Sequence, residues 1–134
     1  MLGIIGHYEI TRDGDIIRVW SSSEFNLEAA QQYALDMNEM IEMMPPKFGT
    51  LVAFFSPPVI APDVEETMRQ SALQRGERGM VAVAFVTQNL EGISVAGAQW
   101  DRIYRGSGIT FQIFREIAPA KAWLQEQIDR TKSQ

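Results

Sequence analysis

Three polar steps each close an apolar stretch of the chain: Ser21-Ser22-Ser23, Ser56-Pro57 and Thr87-Gln88-Asn89. If those stretches are parallel strands, the hydroxyls and amides lie at the carboxyl ends of a sheet, beside the starts of the next helices. Open α/β sheets bind ligands there, and backbone N–H groups with the helix dipole favour an anion. Ser21, Ser22, Ser56, Thr87 and Asn89 are therefore candidate ligand-binding residues. The same residue types also cap helices and turn chains, which is their commoner use.

A second candidate surface is rich in methionine. Met37, Met40, Met43 and Met44 are four of the seven methionines in the chain. Met37 and Met44 fall on one inward helical stripe, while Met40 and Met43 lie partly off it. Methionine fills irregular core gaps and also makes adaptable apolar binding surfaces. Core filling is the ordinary alternative to a protein-partner face, a homodimer contact or a pocket for an acyl-like ligand. Phe48, Phe54, Phe55 and the loop Pro57-Pro58-Val59-Ile60 would extend such a patch.

Nothing in the sequence nominates a catalytic constellation. His7 is the only histidine, and catalysis needs it beside a nucleophile or carboxylate. Glu65-Glu66 and Asp13 with Asp15 fit a helix start and a turn. There is no Gly-x-Ser-x-Gly nucleophile elbow, and Gly106-Ser107-Gly108 lacks the strand and further glycine of a nucleotide loop. Serines stand where a phosphoacceptor receiver needs acidic residues at its strand ends. With no cysteine, zinc–thiolate sites, iron–sulfur clusters and disulfides are excluded. The expectation is no enzyme, no cofactor and no metal.

The elements that must position these residues are legible from hydropathy. Gly79 to Thr87 is an unbroken apolar run that must be covered on both faces, as a central parallel strand is. Asp13-Gly14, taken as a two-residue type I′ turn, predicts a hairpin pairing Arg12 with Asp15, Ile10 with Ile17 and Tyr8 with Val19. Glu9 then opposes Arg18, and His7 opposes Trp20. Asn26 caps a helix whose stripe is Leu27, Ala30, Ala34, Met37, Ile41 and Met44, and Pro45-Pro46 stops it. Thr50 to Phe55 is a strand. Asp63 with Glu66 suggests a capping box for a helix to about Arg75, closed by Gly76. Asn89 is the expected cap of a helix with Leu90, Ile93, Gly97, Trp100 and Tyr104 on its stripe, ending at Gly106. Ile109 to Phe114 is the last strand, and Pro119 starts a helix that turns Ile117, Ala120, Leu124 and Ile128 inward with Trp123 beside them. The order β-β-α-β-α-β-α-β-α implies one α/β domain over residues 1–134, two-layer or three-layer, with a mixed sheet mostly parallel and one antiparallel strand.

The hairpin into Asn26–Met44, the run Gly79–Thr87, and the tail Phe111-Gln112-Ile113-Phe114-Arg115-Glu116 leading to Ala120-Lys121-Ala122-Trp123-Leu124 resemble the SpoIIAA-like branch of the STAS family, often labelled STAS/SEC14. The resemblance covers nearly the whole chain. It implies a SpoIIAA/STAS-like fold and a non-enzymatic regulatory or binding module. Antagonist members of that family carry a phosphorylatable serine in Asp-Ser-x-Gly after the third strand. Here the matching stretch is Phe54-Phe55-Ser56-Pro57-Pro58, without that motif.

A net charge of −5 with no basic cluster argues against nucleic acid and anionic membrane surfaces. The opening residues lack a signal-peptide pattern and no apolar run is long enough to span a bilayer, so a cytoplasmic location is expected. The function these features predict is binding of a protein partner or a small apolar or anionic ligand. The alternatives are a phospho-switch at Ser56 or among Ser21 to Ser23, and a small enzyme with its site at the carboxyl ends of the strands.

Overall fold

A computed structural model describes residues 8–22, 26–55, 57 and 60–133. The elements are β1 (Tyr8–Asp13), β2 (Ile16–Ser21), α1 (Leu27–Glu42), β3 (Phe48–Phe54), α2 (Pro62–Arg78), β4 (Met80–Val86), α3 (Ile93–Tyr104), β5 (Thr110–Phe114) and α4 (Ile117–Lys132). The five strands form one sheet in the order β1-β2-β3-β4-β5, with β1 antiparallel to β2 and all later pairs parallel. Three right-handed crossovers that step along a sheet in one direction leave their helices on one face. α1, α2 and α3 accordingly form one layer and α4 alone forms the other.

The two faces pack differently. On the α4 face, Gly49, Ala82 and Ala84 are small, and Leu124 fits close over them. A Cβ added at Gly49 would lie 3.0 Å from Leu124 Cδ2. On the other face Phe48, Phe54, Phe85 and Trp100 fill the space beneath three helices. β4 is covered on both sides, as its unbroken apolar run requires.

The hairpin faces match the sequence pattern, but the register differs. Asp13 pairs with Ile16, so the loop is Gly14-Asp15; Ile10 opposes Val19, Tyr8 opposes Ser21 and Glu9 opposes Trp20. Of the two loop residues only Gly14 has positive φ (61°), which fits a II′ turn with glycine first rather than I′. A shift of two residues leaves every side chain on its own face, so periodicity alone could not distinguish the two registers. His7 lies outside the described residues.

Several boundaries also move. Asn26 caps α1 as expected, its Oδ1 accepting from the Ala29 N–H at 2.8 Å, worth about 1 kcal/mol. The other end of α1 is closed by arginines: Arg12 donates to Met43 O (2.9 Å) and Arg78 to Ile41 O (3.0 Å) and Met44 O (3.2 Å). α2 has no capping box. It begins at Pro62 after Ala61, and Glu66 is held instead by Arg69 and Gln70. Gly76 does not end α2; the helix runs on to Arg78, and Gly79 closes it with φ 126°. Asn89 does not cap α3, whose N-cap is Gly92; its Oδ1 accepts from the Glu91 N–H in the preceding turn. Leu90 and Ile117 are exposed rather than inward-facing. Strand β3 begins earlier than expected, at Phe48, and α4 begins two residues before Pro119.

Candidate functional site

The most chemically unusual part of the molecule lies beneath the three helices. α2 packs mainly on α1 and α3 and touches the sheet little. Its inward stripe is Val64, Met68, Ala72 and Arg75, which is thin in large apolar side chains. The space between α2 and the sheet is therefore underfilled. A cavity of about 70 Å³ remains there, walled by Val19, Val52 and Phe54 of the sheet and Trp100 and Ile103 of α3. Phe85 forms the floor, with Trp100 stacked on it at 3.9 Å between ring centroids and 5° between planes.

Four polar side chains reach this apolar chamber: Ser21, Tyr33, Arg75 and Tyr104. Arg75 is 8% exposed, and its Nε is buried without a hydrogen-bond partner among the described residues. None of the ion pairs among the described residues involves it. Its guanidinium carbon instead stands 5.3 Å from the centre of the Tyr33 ring, a cation–π contact. Desolvation of a charge is costly unless paired, so a lone guanidinium here is an exception that calls for a function.

The tyrosines extend this site outward. Tyr33 meets Tyr8 edge to face at 5.2 Å, and the Tyr8 hydroxyl donates to Asp36 Oδ2 at 2.5 Å. Burial pushes the Tyr33 and Tyr104 hydroxyls above their ordinary pKa, with the positive charge of Arg75 opposing the shift but not reversing it. Tyr8 is raised by desolvation first and by the Asp36 carboxylate second. These are all three tyrosines of the chain. In each case the unfolded side chain ionises near pH 10 while the folded one stays protonated. Stability is therefore expected to hold below pH 10 and fall above it, by up to about 1.4 kcal/mol per pH unit for each of the buried Tyr33 and Tyr104, with solvent-screened Tyr8 adding less. In an alkaline titration, tyrosinate absorbance should rise only together with loss of the near-ultraviolet circular dichroism. A tyrosinate step near pH 10 in still-folded protein would contradict the packing described for these rings.

The residues singled out from sequence are not gathered at this site. Ser21 lines the cavity, its hydroxyl donating to Ser22 O at 3.1 Å. Thr87 and Asn89 lie at the carboxyl ends of the strands, in a shallow depression on the α4 side with Trp20, Phe55, Arg115 and Ile117. There the buried Thr87 hydroxyl donates to Phe55 O (3.0 Å) and accepts from the Asn89 N–H (3.2 Å), which ties two loop ends together. Met40 and Met43 border a separate surface hollow with Tyr8 and Asp36, outside the cavity. Ser56 falls outside the described residues, as do Ser23, Pro58 and Val59. No cluster of three or more metal-ligating side chains occurs among the described residues, and no helix there is long and apolar enough to cross a membrane.

A mixed five-stranded sheet with one antiparallel edge pair, layered between three helices and one, is a SpoIIAA-like fold. A solved structure similar to this chain is that of an uncharacterized protein of the DUF3478 family with a SpoIIAA-like fold from Shewanella loihica PV-4. The TM-score is 0.63 at 16% identity, over 89% of this chain and 93% of that one. Likeness at that identity shows the fold. No family model and no curated protein sequence matches this chain.

Proposed function

We propose that the protein is a binding module that holds a small molecule in the cavity between its sheet and the three-helix layer, with no chemistry of its own. The cavity itself carries this proposal. Protein interiors pack as densely as organic crystals, and a void of this size left empty costs on the order of 1–2 kcal/mol. Its wall is apolar and aromatic with a few polar groups converging on it, the usual composition of a ligand site. Among the described residues no carboxylate or histidine lines it, so none of them offers a general base to a bound molecule, which favours binding over catalysis.

The test is a titration of isotope-labelled protein with small organic molecules, read by nuclear magnetic resonance. Binding is expected to move the signals of Val52, Phe85, Trp100 and Tyr104 together and to leave Met43 and Asn89 still. Shifts confined to the strand-end depression would move the site there, and no shift with any compound of suitable size would remove this function.

A further inference from the structure

We infer that the cavity's ligand is a compact monocarboxylate, its carboxylate held by the Arg75 guanidinium and its apolar body set against Phe54, Phe85 and Trp100. This rests on the proposed function and adds the ligand's charge, size and shape.

Charge follows from Arg75. The guanidinium is a rigid fork of donors, always protonated, and matches a carboxylate in two parallel hydrogen bonds. Here it lines the cavity, with Nε buried and no hydrogen bond made by that atom to any described residue. An oxyanion would supply both the missing acceptor and the missing counter-charge. A neutral ligand would leave the charge uncompensated, and a cation would add a second one. Tyr33 and Tyr104 beside it stay protonated and neutral, so they do not compete as anions.

Size follows from the volume. One water occupies about 10–15 Å³ of such space, so 70 Å³ admits a ligand of about five to seven non-hydrogen atoms. Shape follows from the wall. Apart from Ser21, Tyr33, Arg75 and Tyr104, every described lining residue is apolar. A fully hydrated inorganic anion such as phosphate would bury unsatisfied oxygens against that wall, whereas a short branched carboxylate presents one polar end and one apolar end.

The experiment is calorimetric titration of wild-type protein and the Arg75→Met variant with 3-methylbutanoate, its neutral amide 3-methylbutanamide, and inorganic phosphate. Hydrogen bonds to a charged group predict roughly a 10- to 100-fold preference of the wild type for the carboxylate over the amide. Arg75→Met should lose that preference while still binding the amide. Phosphate should bind more weakly than the carboxylate. Should Arg75→Met not fold, Arg75→Lys, which keeps the positive charge, must still prefer the carboxylate. Equal affinity for carboxylate and amide in the wild type overturns the inference but leaves the cavity as a binding site. So does tighter binding of phosphate, or a preference that survives in Arg75→Met. If none of the three binds, both the inference and the binding function fall.

Discussion

Replacing Arg75 with methionine is expected to make the ligand-free protein more stable. The change removes a buried guanidinium whose Nε has no partner among the described residues and puts a flexible apolar chain into an apolar cavity. Even replacing a buried ion pair with well-packed hydrophobic residues is often neutral or stabilising by about 1–4 kcal/mol. The loss of the Arg75–Tyr33 contact offsets about 0.5–2 kcal/mol of that gain, so a net gain of about 1 kcal/mol is expected. Chemical unfolding in buffer free of organic acids measures it. With 3-methylbutanoate present at about 100 times its dissociation constant, the wild type should gain about 2.7 kcal/mol and the variant little. A variant less stable than the wild type under both conditions would make Arg75 an ordinary structural residue.

Gly79→Ala should have the largest cost of adding a methyl group at any described glycine. Gly79 closes α2 at φ 126°, and an added Cβ would fall well inside van der Waals contact of Pro46 O, in the turn that links α1 to β3. Both are backbone positions. Pro46 cannot yield without moving Phe48, whose N–H donates to Gly79 O at 3.2 Å. Strain at such a φ costs about 1–3 kcal/mol, and the clash adds to it, so a loss of about 3–5 kcal/mol is expected. Most domains have only about 5–15 kcal/mol in total. Thermal unfolding of the variant checks this. An unchanged midpoint would mean that the junction of α1, α2 and β4 is looser than described. Arg78, which caps α1 from the last turn of α2, meets the same junction, so the three elements are fixed to one another there.

Element order and faces were legible in the sequence because strand and helix periods repeat within short windows. Gly79 to Thr87 could be placed as an interior strand covered on both faces from its polarity alone, and Asn26 as a cap from its position before a clean stripe. The hairpin register was not legible, because Asp13-Gly14 and Gly14-Asp15 both present a glycine-containing loop and keep the same faces. Arg75 was missed for a specific reason. A helix closed by Gly76 puts Arg75 at its last position, where a cation is ordinary and draws no notice. Once α2 is seen to continue to Arg78, the spacing Val64, Met68, Ala72, Arg75 puts that cation on the buried stripe. Gly76 is needed for a different purpose: a Cβ there would strike Ser107 O, so the glycine allows the turn after α3 to pass close to the helix.

The strand-end residues illustrate a limit of another kind. Ligands gather at strand ends where the strand order reverses and opens a crevice. The order β1-β2-β3-β4-β5 never reverses, so the strand ends carry only the open depression described above, where Thr87 and Asn89 hold loop ends. Sheet order depends on contacts between distant segments, which local patterns do not encode. The same topology puts three helices on one face, which creates the chamber beneath α2.

A high-resolution crystal structure of the wild-type protein grown with 3-methylbutanoate tests the central claim most directly. Continuous density is expected beneath α2, with the carboxylate within hydrogen-bonding distance of the Arg75 guanidinium and the methyl groups against Trp100 and Phe85. A structure in which side chains close the cavity completely, or in which the acid sits only in the depression beside Thr87 and Asn89, would contradict it.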